Sequence, residues 1–184
     1  MRKNILIFTL LSLNLASAQL NLDFEAILTQ NITSNTPKLV AYIDDNPVTD
    51  GINPSKNAIK VTEFAECQYW GSTIVNKFGQ TISFDEGRFF SIDFFSPRPK
   101  GMITLKFQKG VEKDFIYSGK ANTWRTAIFN FSDTPKSTTS VKIDIFFDVR
   151  DHTKPSKNYS DNLSEEVYWF DNVVQSKRRI RRKR

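Results

Sequence analysis

EEVYWFDNVV, residues 165–174, places three aromatic side chains directly before an acid in an otherwise apolar segment. A run of this composition reads as a β-strand, in which alternate residues share a face. Val167, Trp169, Asp171 and Val173 then point one way, and Tyr168, Phe170, Asn172 and Val174 the other. Asp171 is thereby set among large apolar neighbours. Burying an unpaired carboxylate costs on the order of several kcal/mol, so the segment predicts a positive partner, either a basic side chain or a metal ion. The alternative is an exposed strand end.

Nine other runs share this character: LNLDFEAIL, KLVAYI, NAIKVTEF, QYWGSTIV, RFFSIDFFS, MITLKFQ, DFIYSG, WRTAIFNFS and VKIDIFFDV. Turn-forming pairs separate them, among them Asp50-Gly51, Asn53-Pro54, Glu86-Gly87, Ser96-Pro97, Lys100-Gly101 and Ser118-Gly119. No amphipathic helix competes. Alternation assigns faces: Phe90, Ile92 and Phe94 oppose Ser91 and Asp93; Ile103, Leu105 and Phe107 oppose Thr104, Lys106 and Gln108; Val141, Ile143, Ile145 and Phe147 oppose Lys142, Asp144, Phe146 and Asp148. One core face and one mixed polar face per strand predict an all-β chain of two antiparallel sheets packed as a sandwich. No internal repeat is present, and the polar stretch 150–164 reads as a long exposed loop.

The ends differ from this body. Arg2 and Lys3 precede an apolar run over residues 5–15 and then Ala16-Ser17-Ala18, the pattern of a secretory signal peptide cut before Gln19. Residues 19–175 then form one domain, and SKRRIRRKR at 176–184 is a basic tail. The formal net charge is +6; setting aside two basic residues of the leader and seven of the tail leaves a body of −3. A mildly acidic body argues against nucleic acid as its partner. The tail reads as a solvated, disordered end, with contact to anionic polymers as the alternative. No further apolar run predicts a membrane span, and a secreted monomer is expected. Cys67 is the single cysteine, so no internal disulfide can form.

Several chemistries are excluded by shortage of residues. His152 is the only histidine and lies in the polar loop, which leaves a serine or cysteine nucleophile without an imidazole and a zinc site without ligands. Acid pairs for glycoside hydrolysis exist at Glu63 and Glu66, Asp85 and Glu86, Asp144 and Asp148, and Glu165 and Glu166, but none forms a recognisable catalytic signature. Aromatic residues exceed what a core of this size requires, which points to binding instead. Sugar rings stack C–H faces on aromatic rings while their hydroxyls take fixed polar partners. Tyr69 and Trp70 stand beside the small residues Gly71 and Ser72, and Asp93, Phe95, Lys106, Gln108, Asp144, Phe146 and Asp148 are expected to line a groove across one sheet.

LDFE, NPVTDGINPSKNAIKV, YWGS, FFSIDFFSPRPKGMITLKF, WRTAIFNFS and YWFDNV, in that order, resemble the β-jelly-roll carbohydrate-binding modules attached to secreted bacterial polysaccharide-degrading enzymes. The resemblance spans residues 22–174. It implies an all-β, two-sheet antiparallel jelly-roll β-sandwich without catalytic machinery, binding a polysaccharide such as a β-glucan. It makes Trp124 a packing residue. It also implies a structural calcium ion, whose ligands map onto Glu25 and Asp171, with Asp50, Asn53 and the backbone of Ser55 nearby. Asn172 stands where the family commonly has a second acid. An adhesion or scaffold domain of the same fold, and a small jelly-roll hydrolase or lyase, are the alternatives.

Overall fold

The computed structural model describes residues 19–25, 31–68, 70–76, 79–147 and 164–178. Alternating apolar residues bounded by turn-formers give thirteen strands among them: β1 (Asn21–Leu22), β2 (Ile32–Ser34), β3 (Leu39–Asp45), β4 (Asn57–Glu63), β5 (Thr73–Asn76), β6 (Ile82–Ser83), β7 (Phe89–Ser96), β8 (Lys100–Phe107), β9 (Glu112–Ser118), β10 (Thr123–Asn130), β11 (Thr139–Ser140), β12 (Lys142–Phe147) and β13 (Glu166–Ser176). One sheet has the order β10-β7-β13-β4-β3, with β1 beside β13; the other runs β2-β5-β12-β8-β9; β6 and β11 form a separate small ladder. All pairings are antiparallel.

The core lies between the sheets, where the predicted inner faces meet. Phe90, Ile92 and Phe94 of β7 oppose Ile103, Leu105 and Phe107 of β8 and Ile143, Ile145 and Phe147 of β12, all buried. Val141 does not join them. It precedes β12 and is half exposed, because alternation holds only within a paired strand. Most of the phenylalanines are consumed here: Phe24, Phe84, Phe90, Phe94, Phe107, Phe129, Phe131, Phe147 and Phe170 all belong to the central cluster. They pack edge to face, as Phe84 does against Phe107 at 5.0 Å and 80°. Each ring buried contributes about 1.5–3 kcal/mol. The apparent excess of aromatic residues is therefore core, since no disulfide reinforces the fold among the described residues.

The 165–174 segment becomes β13, paired to β4 on one side and β7 on the other. Its alternation breaks. The register with β7 shifts between Asp171 and Val174, and Asn172 adopts φ 50°. One extra residue is thus inserted as a bulge, at a residue type that tolerates the left-handed region. Val173 turns into the core instead of sharing a face with Asp171, and Gln175 follows it. Gln175 is satisfied there: its Nε2 donates to the carbonyls of Ser83 and Gly87, each at 2.7 Å, and its Oε1 accepts from Leu20 N–H at 3.2 Å. The strand runs on to Ser176, one residue past the expected domain end.

Candidate functional site

The outer face of the second sheet gathers polar side chains in cross-strand rows. Thr33, Ile74, Asp144, Lys106 and Glu112 are successive partners across all five strands, and Phe146, Thr104 and Asp114 form the next row. Directly opposed residues of an antiparallel ladder share a face, so these groups form one surface. Their positions are fixed by one another: Lys106 Nζ lies 2.8 Å from Glu112 and 6.0 Å from the Phe146 ring centroid, Lys142 Nζ lies 3.1 Å from Asp144, and Thr104 Oγ1 donates to Asp114 at 2.6 Å. A sugar hydroxyl donates and accepts at once, so an array of held acids and ammonium groups beside a half-buried ring suits it chemically.

Trp70 stands at the end of this sheet nearest Phe146. Thr73 pairs with Ile145, which sets Ser72 level with Phe146. Asn35 clamps the segment, donating to the Trp70 carbonyl at 2.9 Å and accepting from Ser72 N–H at 2.7 Å. The Trp70 side chain is 45% exposed. Gly71 serves a close approach: a Cβ there would meet Cys67 Sγ at 2.9 Å and Gln68 O at 3.0 Å. Gln108 leaves the row for the rim, where a 3-10 turn follows β8 and its Oε1 accepts from Val141 N–H at 3.3 Å. Tyr69 and Asp148 lie outside the described residues.

Asp93 and Phe95 do not share this surface, which corrects the expectation of one groove. β7 and β8 are consecutive but lie in different sheets, the chain crossing between them through Pro97, Arg98 and Pro99. Alternation places a residue inward or outward without saying on which sheet. Phe95 instead belongs to a cross-strand row on the first sheet with Tyr42, Lys60, Trp169 and Trp124. Toward one end Phe95, 6% exposed, packs edge to face on Trp124 at 5.8 Å and Trp169 at 5.4 Å. Trp124 is buried as expected, its Nε1 donating to Asn46 Oδ1 at 3.1 Å and the Val48 carbonyl at 2.7 Å. Toward the other end, Lys60 Nζ bridges the half-buried rings of Tyr42 and Trp169, 5.7 and 5.9 Å from their centroids. No local motif signals this row, because its members come from five separated segments.

Asp171 occupies the neighbouring row, opposite Asp93, and is fully buried. Its Oδ1 accepts from Asn172 N–H at 2.7 Å; its Oδ2 and the Nδ2 of buried Asn53 make no hydrogen bond of good geometry among the described residues. Burial pushes the Asp171 carboxyl up to about 6, and the nearby Asp93 charge adds to the rise; the Ser55 side chain, Asn172 N–H and Asn53 amide oppose it. No basic side chain pairs with Asp171 among the described residues. Asn172 Nδ2 donates to Asp93 Oδ2 at 3.1 Å, while Thr126 Oγ1 donates to Asp93 Oδ1 at 2.6 Å. Beside them opens a cavity of about 510 Å³ lined in part by Pro54, Ser55, Asp93, Thr126 and Asn172.

The five residues mapped to calcium come together only in part. Asn53, Ser55 and Asp171 converge. Glu25 spends both oxygens on Asn57, accepting from its N–H at 2.9 Å and its Nδ2 at 2.8 Å, and Asp50 Oδ1 accepts from the N–H groups of Ile52 and Asn53 at 2.8 and 3.0 Å. No group of three or more His, Cys, Asp or Glu side chains poised for a metal occurs among the described residues. The orphaned, buried Asp171 Oδ2 is nevertheless a hard anionic donor that fits a hard cation.

The acid pairs noted for hydrolysis are engaged elsewhere. Glu66 pairs with Lys38 at 2.7 Å, Asp85 with Lys136 at 3.5 Å and Glu86 with Lys177 at 3.0 Å. Glu166 accepts from Arg98 Nε at 2.8 Å and from Tyr168 Oη at 2.6 Å. Cys67 is buried, and burial pushes its thiol up to about 11, with the Glu63 charge adding to the rise.

No protein-family model and no curated protein matches the chain. Solved structures do. The family 11 carbohydrate-binding module of the cellulosomal cellulase Lic26A-Cel5E of Clostridium thermocellum matches 88% of this chain and 95% of its own, with a TM-score of 0.51 at 15% identity. The fold is the jelly-roll β-sandwich. A family 11 module from the same organism in complex with a β-1,3-1,4-mixed-linked tetrasaccharide matches 86% of this chain and 94% of its own, with a TM-score of 0.50 at 16% identity. An arabinose-bound α-L-arabinofuranosidase, MgGH51, gives a TM-score of 0.60 at 11% identity over 86% of this chain and 26% of that enzyme.

Proposed function

We propose that the chain is a secreted, non-catalytic module that binds a polysaccharide on the outer face of its second sheet. The observation that carries this reading is the fixed array around Phe146, in which Lys106, Asp144, Thr104 and Asp114 hold defined positions beside a half-buried ring. Trp70, 45% exposed at the same end of the sheet, would offer a second ring. The mixed-linked tetrasaccharide bound by the similar family 11 module supports a β-glucan as ligand. Calcium belongs to the proposal as a structural ion: Asp171, with Asn53 and Ser55, would hold it, and its charge would offset that of the buried carboxylate. Phe146→Ala or Trp70→Ala should weaken binding to soluble β-glucan by about 1–3 kcal/mol in affinity electrophoresis while leaving the melting temperature nearly unchanged. Unaltered migration of both variants across a polysaccharide panel would refute this face as the platform.

A second placement is favoured by the half-buried rings of Tyr42 and Trp169 on the first sheet. Two strand spacings, about 10 Å, separate their strands, with Lys60 between. Trp169→Ala run beside Phe146→Ala decides between the faces, because only the variant on the binding face loses affinity.

A further inference from the structure

A second cavity, of about 320 Å³, opens where free edges of the two sheets adjoin, between β9 and β10. Phe115, Ile116, Tyr117 and Trp124 line it together with Arg125, the one charged residue among its lining side chains. In an acidic domain, this is a cavity with a single positive group and aromatic walls. Its guanidinium is held in place. It lies 5.1 Å from the Tyr117 ring centroid, and Nη2 donates to the Lys120 carbonyl. Tyr117 is itself anchored, by a 2.8 Å hydrogen bond between its hydroxyl and Ser96 Oγ and by the Phe94 ring at 5.0 Å. Gly119, at φ 147°, leaves room on the other edge, where even a Cβ would stand 3.5 Å from Nε and Nη2.

An arginine presents five N–H donors in a rigid fork suited to oxyanions. Here Nη1 is buried without a partner among the described residues, and Nη2 is engaged by a backbone carbonyl. The fork is preorganised and largely unspent. Ile116, 80% exposed, offers an apolar rim. The volume suits about one sugar ring rather than a peptide or a duplex.

We propose that this cavity binds one anionic sugar unit, bearing a carboxylate or a sulfate ester, with the acidic group on Arg125 and the ring against Phe115 and Ile116. That the anion is carried by a sugar rests on the polysaccharide reading above; the site itself is separate from the Phe146 face. The test uses the full chain with digalacturonate and a monosulfated disaccharide as small probes and a mixed-linked β-glucan tetrasaccharide as the neutral control. Binding is followed by calorimetry at fixed salt and by the Trp124 indole N–H signal. At least one anionic probe should shift that signal. Arg125→Gln should weaken its binding at least tenfold, Arg125→Lys should restore it only in part, and the neutral control should be unaffected; which probe binds tells uronate from sulfate. Neither probe shifting Trp124, or equal affinity in folded Arg125→Gln, overturns the proposal. Anion binding that depends on Arg125 with no neutral binding upholds this site and counts against the β-glucan platform instead.

Discussion

Replacing Asp171 with Asn tests the energetics of the first sheet most directly. The carboxyl titrates near 3.8 when unfolded and is pushed up to about 6 in the fold, chiefly by burial. Between those values the native state binds more protons than the unfolded chain, so this group makes stability fall as pH rises from about 4 through 6 and level off above. Roughly two pKa units at about 1.36 kcal/mol each bound the loss at about 3 kcal/mol by pH 7.5 in calcium-free buffer. Asp171→Asn removes it but leaves a buried amide facing the unpaired Nδ2 of Asn53, at a cost of about 1 kcal/mol or more, for a net gain of about 1–2 kcal/mol at pH 7.5. Thermal melts of both proteins from pH 4.5 to 7.5 measure the difference, in which unrelated titrations cancel. Added calcium should raise the wild-type curve at pH 7.5 by about 2–4 kcal/mol at a hundred- to thousandfold excess over Kd, and leave the variant where it is. A wild-type-minus-variant difference constant across pH would refute the desolvated carboxylate, and wild-type melts superimposed with and without calcium would refute the ion.

The basic end is separable from the platform: deleting residues 179–184 should leave neutral β-glucan affinity unchanged while removing salt-sensitive retention on long polyanions, and any loss of neutral affinity in the truncated chain would place the tail in the site. Cys67, its thiol pushed up to about 11 from 9.0, should react with a thiol reagent at pH 8 about a hundredfold more slowly in the folded chain than in denaturant on thiolate fraction alone, and equal rates would show it to be accessible.

The alternation of RFFSIDFFS, MITLKFQ and KIDIFF determined by itself which of their side chains enter the core, because a strand's period of two is a property of the local backbone; Val141, just before β12, shows where that rule stops. It also determined the class of fold, since strands with one apolar face must cover it with another sheet. What it could not carry was which sheet each strand joins. That choice depends on pairings between distant segments, and it alone sends Asp93 and Phe95 to one face and Lys106, Asp144 and Phe146 to the other. The bulge at Asn172 is likewise tertiary: one inserted residue turns Val173 inward and leaves Asp171 beneath the Asn53–Ser55 segment, where the sequence alone anticipated a basic partner or a metal. Arg125 gave no signal in its own segment. Its setting exists only because β9 and β10, edges of different sheets, come to rest side by side and enclose a guanidinium between them.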